Sequence, residues 1–316
     1  MPELLTGLIS RLITIFSPIS TGFKFMFIDI HAHTMRLPAY PRNGKAAYAS
    51  SEQLLGTYDR IGVERAVLLP EVNPECSHGV QSNEEILEIA GRNSRFIPFC
   101  NIDPRAIGNS DTAPLSKMVK HYKELGCKGV GEVCANLPFL DPLVQNLFRA
   151  ADENEMPLTF HISSSIGGDY GLYDNPGLPQ LEECLKRFPK LKLFGHSQAF
   201  WAEISVLNQE SDRNGYPAYE ILEEGAVPKL MRKHPNLYGD LSAGSGCNAL
   251  KRDRRYAIKF LNEFQDRLMF GTDICSPDTP TPLADFLLDL ENSGDISKTV
   301  FDKVAKGNAI KILGLK

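Results

Sequence analysis

The 316 residues hold no Cys-x-x-Cys pair, a single tryptophan and no excess of positive charge. Each absence excludes a class of protein. The seven cysteines (Cys76, Cys100, Cys127, Cys134, Cys184, Cys247 and Cys275) are odd in number and scattered. That argues against a disulfide framework and against a cysteine-rich zinc module, and fits a reducing, cytoplasmic setting. Cys100, Cys134 and Cys275 end apolar runs, where a free cysteine behaves as a small hydrophobe. Lys and Arg number 34 against 39 Asp and Glu, a formal net charge of −5, so nucleic acid is not an expected partner. One local basic run, Lys251-Arg252-Asp253-Arg254-Arg255, reads either as a solvated helix face or as a clamp for an anionic substrate. No uninterrupted apolar stretch is long enough to span a bilayer, so no stable membrane insertion is expected. Residues 4–27 are apolar-rich but interrupted by Arg11 and Lys24, and they lack the basic start and cleavage site of a signal peptide. Leu5, Leu8, Ile9, Leu12 and Phe16 share one helical face, which suggests a short amphipathic helix packed on the domain or resting weakly on a membrane. Translation beginning at Met26 is the alternative.

What is present is the composition of a folded domain: 42% hydrophobic and 23% charged residues, without repeats or low-complexity tracts. From Met26 onward, short apolar runs alternate with longer helical patterns. Eight runs read as buried parallel strands: Met26–His31, Arg65–Leu69, Phe96–Asp103, Gly129–Val133, Leu158–Ile162, Leu191–His196, Leu237–Leu241 and Arg267–Thr272. Helices are expected from Ser82, over Leu115–Leu125, from Asp141-Pro142, and over Leu178–Phe188, Tyr219–Lys233, Asn248–Phe264, Pro282–Leu290 and Ile296–Leu313. Eight strand–helix repeats predict an α/β fold closed as a (β/α)₈ barrel over residues 26–316, with residues 1–25 as an N-terminal extension. The longest irregular stretches, Thr34–Ala49, Ser163–Asn175 and Gln198–Pro217, all follow strands. They therefore belong to the face where barrel enzymes do chemistry.

Four of the seven histidines fall at strand ends. His31 and His33 follow Phe27-Ile28-Asp29-Ile30, His161 ends Leu158-Thr159-Phe160-His161, and His196 ends Phe194-Gly195-His196. Residues two apart on a strand share a face, so His31 and His33 can converge on one ion. Asp273 follows the eighth strand in Met269-Phe270-Gly271-Thr272-Asp273. Any one of these could be a satisfied polar group at a strand terminus. Five on one rim, buried without a metal, would carry a large desolvation cost.

At this point the sequence resembles the amidohydrolase superfamily, and in particular its amidohydrolase-2 group of TIM-barrel metal enzymes. The resemblance runs from Phe27 to Leu315. It is carried by Asp29-Ile30-His31-Ala32-His33, Ile102-Asp103-Pro104-Arg105, the Gly177-Leu178-Pro179 to Phe188-Pro189 segment leading into His196, Phe270-Gly271-Thr272-Asp273, and Gly307-Asn308-Ala309. It implies a divalent cofactor, zinc by default with manganese or iron(II) as alternatives, in one or two ions. It implies His31, His33, His161 and Asp273 as ligands, His196 as a second-metal ligand or the group that polarises substrate, and Asp273 as the carrier of the attacking water's proton. Glu132 departs from many one-metal members and resembles the fourth-strand glutamate of TatD-type nucleases. It is open as a bridging ligand, as an acid holding a histidine, or as a plain strand-end acid. On the same face as Val130 and Glu132 by alternation, Lys128 lies deeper and is a weaker ligand.

Other candidates for contact with substrate are His78, in the loop after the second strand, and Trp201, close after His196; solvation and plain packing are their ordinary readings. Asp240 and Asp29 read as acids that orient neighbours, and His121 and His234 as surface residues. The leading expectation is hydrolysis of an amide, ester or lactone-type bond in a small polar molecule by metal-bound hydroxide. Non-oxidative decarboxylation of an aromatic or unsaturated acid is the alternative on the same site. The text after His196, Ser197-Gln198-Ala199-Phe200-Trp201, lacks the Gly-Glu and Leu-Pro signature such decarboxylases often carry. A TatD-like phosphodiesterase and an inactive barrel kept as a binding protein are further alternatives, and a homo-oligomer is compatible with all of them.

Overall fold

The computed structural model describes residues 25–76 and 79–316. The expected helix over Leu5–Phe16 and the substrate candidate His78 lie outside the described residues. Nine strands follow in order: β1 (Phe27–Ala32), β2 (Val63–Leu68), β3 (Phe96–Pro98), β4 (Val130–Val133), β5 (Leu158–Ser163), β6 (Leu172–Tyr173), β7 (Leu193–His196), β8 (Leu237–Asp240) and β9 (Leu268–Met269). β6 is a two-residue addition on β5, and the other eight correspond to the eight expected strands.

All pairings are parallel, in two sheets ordered β1-β2-β3 and β4-β5-β7-β8-β9. Single parallel bridges, Cys100↔Val130 and Ala32↔Ile274, stitch both seams of the ring. Each seam carries backbone hydrogen bonds: Gly131 N–H donates to Cys100 at 2.8 Å, and Asp273 N–H donates to His31 at 2.8 Å. The fold is thus a (β/α)₈ barrel whose continuous ladders are interrupted twice. Both interruptions have a cause in the backbone hydrogen bonding. The third strand is assigned to Pro98, short of the expected Asp103: Pro98 has no N–H to donate, which breaks the ladder at that residue, although Phe99 N–H still donates to Leu68 and Cys100 N–H to Gly129. The eighth barrel strand shrinks to two residues because the Phe270 N–H turns away to the Val304 carbonyl.

Helix starts follow the capping chemistry. Ser82 accepts from Glu85 N–H, and Asp141 accepts from Leu143 N–H ahead of Pro142. Three expected helices differ. The segment from Tyr219 becomes helical only at Ala226, since Glu224 is held extended by an antiparallel bridge to Ser205. Asp253 divides the Asn248–Phe264 pattern by capping a second helix, Arg254–Glu263. The last pattern opens at Lys298, capped by Ser297, and passes through a π turn at Lys303–Gly307. Among the described residues, no helix is long and apolar enough to cross a membrane.

Candidate metal centre

β1 is buried along its whole length, and its ladder with β2 slips between Asp29 and Ala32, where three β1 residues span two of β2. Such a bulge re-aims side chains. Before it, Asp29 accepts from Tyr58 Oη on the helix Ser51–Ile61 at 2.7 Å and from the Thr272 N–H at 2.9 Å. Burial raises the Asp29 carboxyl to about 6 against those hydrogen bonds. Asp29 therefore ties β1 to the last barrel strand, the orienting role expected of it. After the bulge, His31 and His33 turn together, and their Nε2 atoms meet at 3.2 Å.

β4 carries a matching slip between Val130 and Val133, so counting by twos from Lys128 does not hold across it. Gly131 is required there. Its φ is +132°, and a Cβ would lie 2.5 Å from the Thr159 carbonyl oxygen. The next residue, Glu132, projects into the middle of the histidines. Its Oε2 lies 3.2 Å from His31 Nε2 and 3.7 Å from His33 Nε2, while Oε1 lies 2.8 Å from His161 Nδ1 and 3.6 Å from His196 Nε2. Asp273, at φ +54° just past β9, repeats the split. Its Oδ1 faces His31 and His33 at 3.6 and 3.5 Å, and its Oδ2 faces His196 at 3.8 Å. All four strand-end histidines and both acids are thus brought to one place.

The far side of three of the four rings is held. His31 Nδ1 lies 2.6 Å from Asp240 Oδ2, His33 Nδ1 lies 3.1 Å from the Leu69 carbonyl and 3.2 Å from Glu71, and His196 Nδ1 lies 2.9 Å from Ser242 Oγ. When a neutral His31 or His33 donates its Nδ1–H outward, its Nε2 lone pair is left pointing at the shared centre. Convergent lone pairs, the buried Glu132 carboxylate and the half-buried Asp273 carboxylate need a cation between them. Among the described residues, no lysine or arginine is paired with Glu71, Glu132, Asp240 or Asp273. The donors therefore fit a divalent ion, and two sets, His31–His33–Glu132 and His31–His196–Asp273, have their ligand atoms within 4.8 Å of one another.

Without an ion, protons take its part. Burial opposes charging His31, but Glu132, Asp240 and Asp273 outweigh it and hold the imidazole well above its ordinary value. Burial likewise opposes His33, which Glu71 and Asp273 hold up at about 9. Burial and the neighbouring His31 charge push His196 down to about 4. Glu132 and Asp273 are raised by burial yet end below the carboxylate range, Asp273 at about 2, because of the imidazoles around them.

Above this centre opens a cavity of about 900 Å³, within the usual size of a small-molecule site. All three long loops contribute: Arg42 and Lys45 from the first, Tyr170 from the second, Tyr216 from the third. Trp201 does not line it. The indole is 1% exposed, packs on Phe200 and Phe260, and donates Nε1–H to the Asp240 carbonyl at 2.8 Å, so packing is its role. His234 is a second correction: it is 8% exposed and sits near Glu182, not on the surface, whereas His121 is exposed. The basic run also lies away from the cavity, with Arg254 paired to Asp289 and Asp295. Lys128 is exposed and is no ligand. Sequence reasoning missed Glu71, Ser242, Tyr170 and the cavity positions of Cys134 and Cys275. Glu71 and Cys275 each lie two residues beyond a residue already placed at the rim, Leu69 and Asp273. That spacing was the available signal.

A family model described as Amidohydrolase matches residues 28–315. No curated protein matches the sequence. Among solved structures, the chain is similar to 5-carboxyvanillate decarboxylase from Sphingomonas paucimobilis, with a TM-score of 0.60 at 18% identity over 93% of this chain and 100% of that one. It is similar to an amidohydrolase from Burkholderia multivorans with bound zinc, with a TM-score of 0.59 at 14% identity over 92% and 100%. It is also similar to a putative 2-pyrone-4,6-dicarboxylic acid hydrolase from Pseudomonas putida, with a TM-score of 0.59 at 15% identity over 92% and 98%. At these identities the likeness is one of fold.

Proposed function

The chain belongs to the amidohydrolase family of metal-dependent enzymes, which includes hydrolases and decarboxylases, and from that premise we propose that it hydrolyses a small polar substrate at a two-ion centre. The observation that carries this reading is the division of Glu132, one oxygen toward His31 and His33 and the other toward His161 and His196. In this assignment His31, His33, Glu132 Oε2 and Asp273 Oδ1 would hold one ion. His161, His196 and Glu132 Oε1 would hold the other, which leaves Asp273 Oδ2 free to take a proton. Zinc is the default, because imidazole and carboxylate donors suit it, with manganese or iron(II) as alternatives. Ions bound there supply Lewis acidity and make a water nucleophilic at neutral pH.

The residues around that centre supply the rest. Asp273, held at about 2, is a carboxylate at neutral pH and so accepts a proton from water and returns it to a leaving group. Tyr170 lies against His161 with ring centroids 4.5 Å apart, and burial keeps its phenol protonated as a hydrogen-bond donor to substrate. Arg42 and Lys45 flank the Asn43-Gly44 turn at the cavity wall, where they favour a substrate with a carboxylate or similarly anionic end. Hydrolysis is preferred to decarboxylation because Asp273 stands ready as a base, whereas replacing carbon dioxide by a proton at carbon calls for an acid.

The test is a panel assay on metal-loaded protein, scoring amide, ester and lactone cleavage against carbon dioxide release from aromatic and unsaturated acids. Turnover only in the second arm overturns hydrolysis. A phosphodiester in the panel addresses the nuclease alternative that Glu132 raises. Absence of bound metal after purification without chelator would favour a binding protein.

A further inference from the structure

Three barrel strands each present a pair of residues two apart at the metal centre. They are His31 and His33 at the end of β1, Glu132 and Cys134 at the end of β4, and Asp273 and Cys275 past β9. The two thiols belong to opposite halves of the centre. Ligand atoms of Glu132, Cys134 and His161 all lie within 4.8 Å of one another, as do those of His33, Asp273 and Cys275. Cys275 Sγ is 3.6 Å from Asp273 Oδ1. Both positions are pinned by their backbones. The Cys134 N–H donates to Asn73 Oδ1 at 2.8 Å, and the Cys275 carbonyl accepts from Ala49 N–H at 2.6 Å. All seven cysteines are free, so neither thiol is engaged in a disulfide.

We propose that Cys134 and Cys275 are metal ligands, one thiolate for each ion, which makes this a mixed nitrogen, oxygen and sulfur centre suited to thiophilic divalent ions. The inference rests on the two-ion reading above and extends it. As each Sγ–metal bond forms, the Sγ–H bond gives its proton to solvent, and no electron is transferred. Thiolates shift selectivity toward zinc, cobalt and cadmium over magnesium, calcium and manganese, which imidazole and carboxylate alone would not do as strongly. Each thiol stands two residues beyond an acid of the centre and lines the cavity above it.

The experiment is cobalt(II) reconstitution of the metal-free protein, read by metal content and by near-ultraviolet absorption, where thiolate-to-cobalt charge transfer appears and nitrogen or oxygen ligands give none. Two bound cobalt ions with a charge-transfer band are expected in the wild type. Cys134→Ser and Cys275→Ser should each remove about half of the band, the double variant all of it, and Cys184→Ser, buried against Gln145, none. Two bound cobalt ions without a band overturn the thiolate proposal and leave the two-ion reading standing. A band at full strength in either single variant overturns the assignment for that cysteine. No cobalt uptake overturns both. The wild-type spectrum decides the matter even if a variant fails to fold.

Discussion

Metal binding here should be paid for in protons, and the amount follows from the centre's own electrostatics. His33 is held up at about 9 by Glu71 and Asp273 against the opposing effect of burial, and His31 is raised well above its ordinary value by Glu132, Asp240 and Asp273. In the metal-free chain at pH 7 both imidazoles therefore carry protons, whereas a metal ligand must be neutral. His196, held down to about 4, and Asp273, at about 2, have already lost theirs and add nothing. The sign is fixed: raising the pH removes the competing protons, so affinity climbs with pH, and the share due to His33 levels off above about pH 9. Two pH units of competition at His33 alone weaken binding at pH 7 by roughly 100-fold, about 3 kcal/mol. His31 adds to this in the same direction. Titration calorimetry in two buffers of different ionisation enthalpy should find one to two protons released from these imidazoles per chain at pH 7, and one more for each thiol that binds. The logarithm of affinity should rise per pH unit by the number of protons released, by the same competition. Glu71→Gln should lower the His33 value and with it the proton count. Affinity that is flat from pH 6.5 to 9, with heats independent of buffer, would refute the reasoning.

Glu132→Gln leaves the shape but removes the charge that faces both histidine pairs, so metal content should fall from two ions toward one, measured by mass spectrometry of the metal after gel filtration. Asp240→Ala frees the His31 Nδ1 partner that lies 2.6 Å away. Metal affinity should drop by roughly 10–100-fold, the usual cost of losing a carboxylate behind a ligating histidine, while the fold measured by circular dichroism is retained. Gly131→Ala forces a side chain onto a positive φ and against the Thr159 carbonyl. Positive-φ strain alone costs about 1–3 kcal/mol, so urea unfolding should shift by at least that much, and an unchanged midpoint would contradict the backbone described for β4.

The barrel was legible because its strands are buried on both faces and read as short apolar runs, and because helix starts carry their own chemistry. Ser82, Asp141 and Pro142 mark boundaries that depend on nothing beyond their neighbours. Boundaries set by more than neighbouring residues are less legible. The apolar run from Phe96 continues past Pro98 although the strand does not, and the helical pattern from Tyr219 starts before Ala226 because Ser205 holds Glu224 in extended backbone. Trp201 is near His196 in sequence, yet five residues along a helical turn are enough to carry it away from the cavity to the Asp240 carbonyl.

The centre shows the same division more sharply. Each histidine and acid sits at a strand end, so its arrival at the rim followed from counting strands. What each would face there did not, because both β1 and β4 slip their ladders inside the site. An unslipped β1 would send His31 to the same side as Asp29, toward Tyr58 and the outer helix instead of toward Glu132. The slip is therefore what converts a His-x-His pattern into convergent ligands. A slip has no sequence signature in β1, where no glycine marks it. In β4 it is marked by Gly131, whose positive φ no side chain would tolerate so close to Thr159. Glu132 could not be assigned by alternation for this reason. The two-ion reading comes from where its two oxygens point, which is a property of the bulge and not of the residue type.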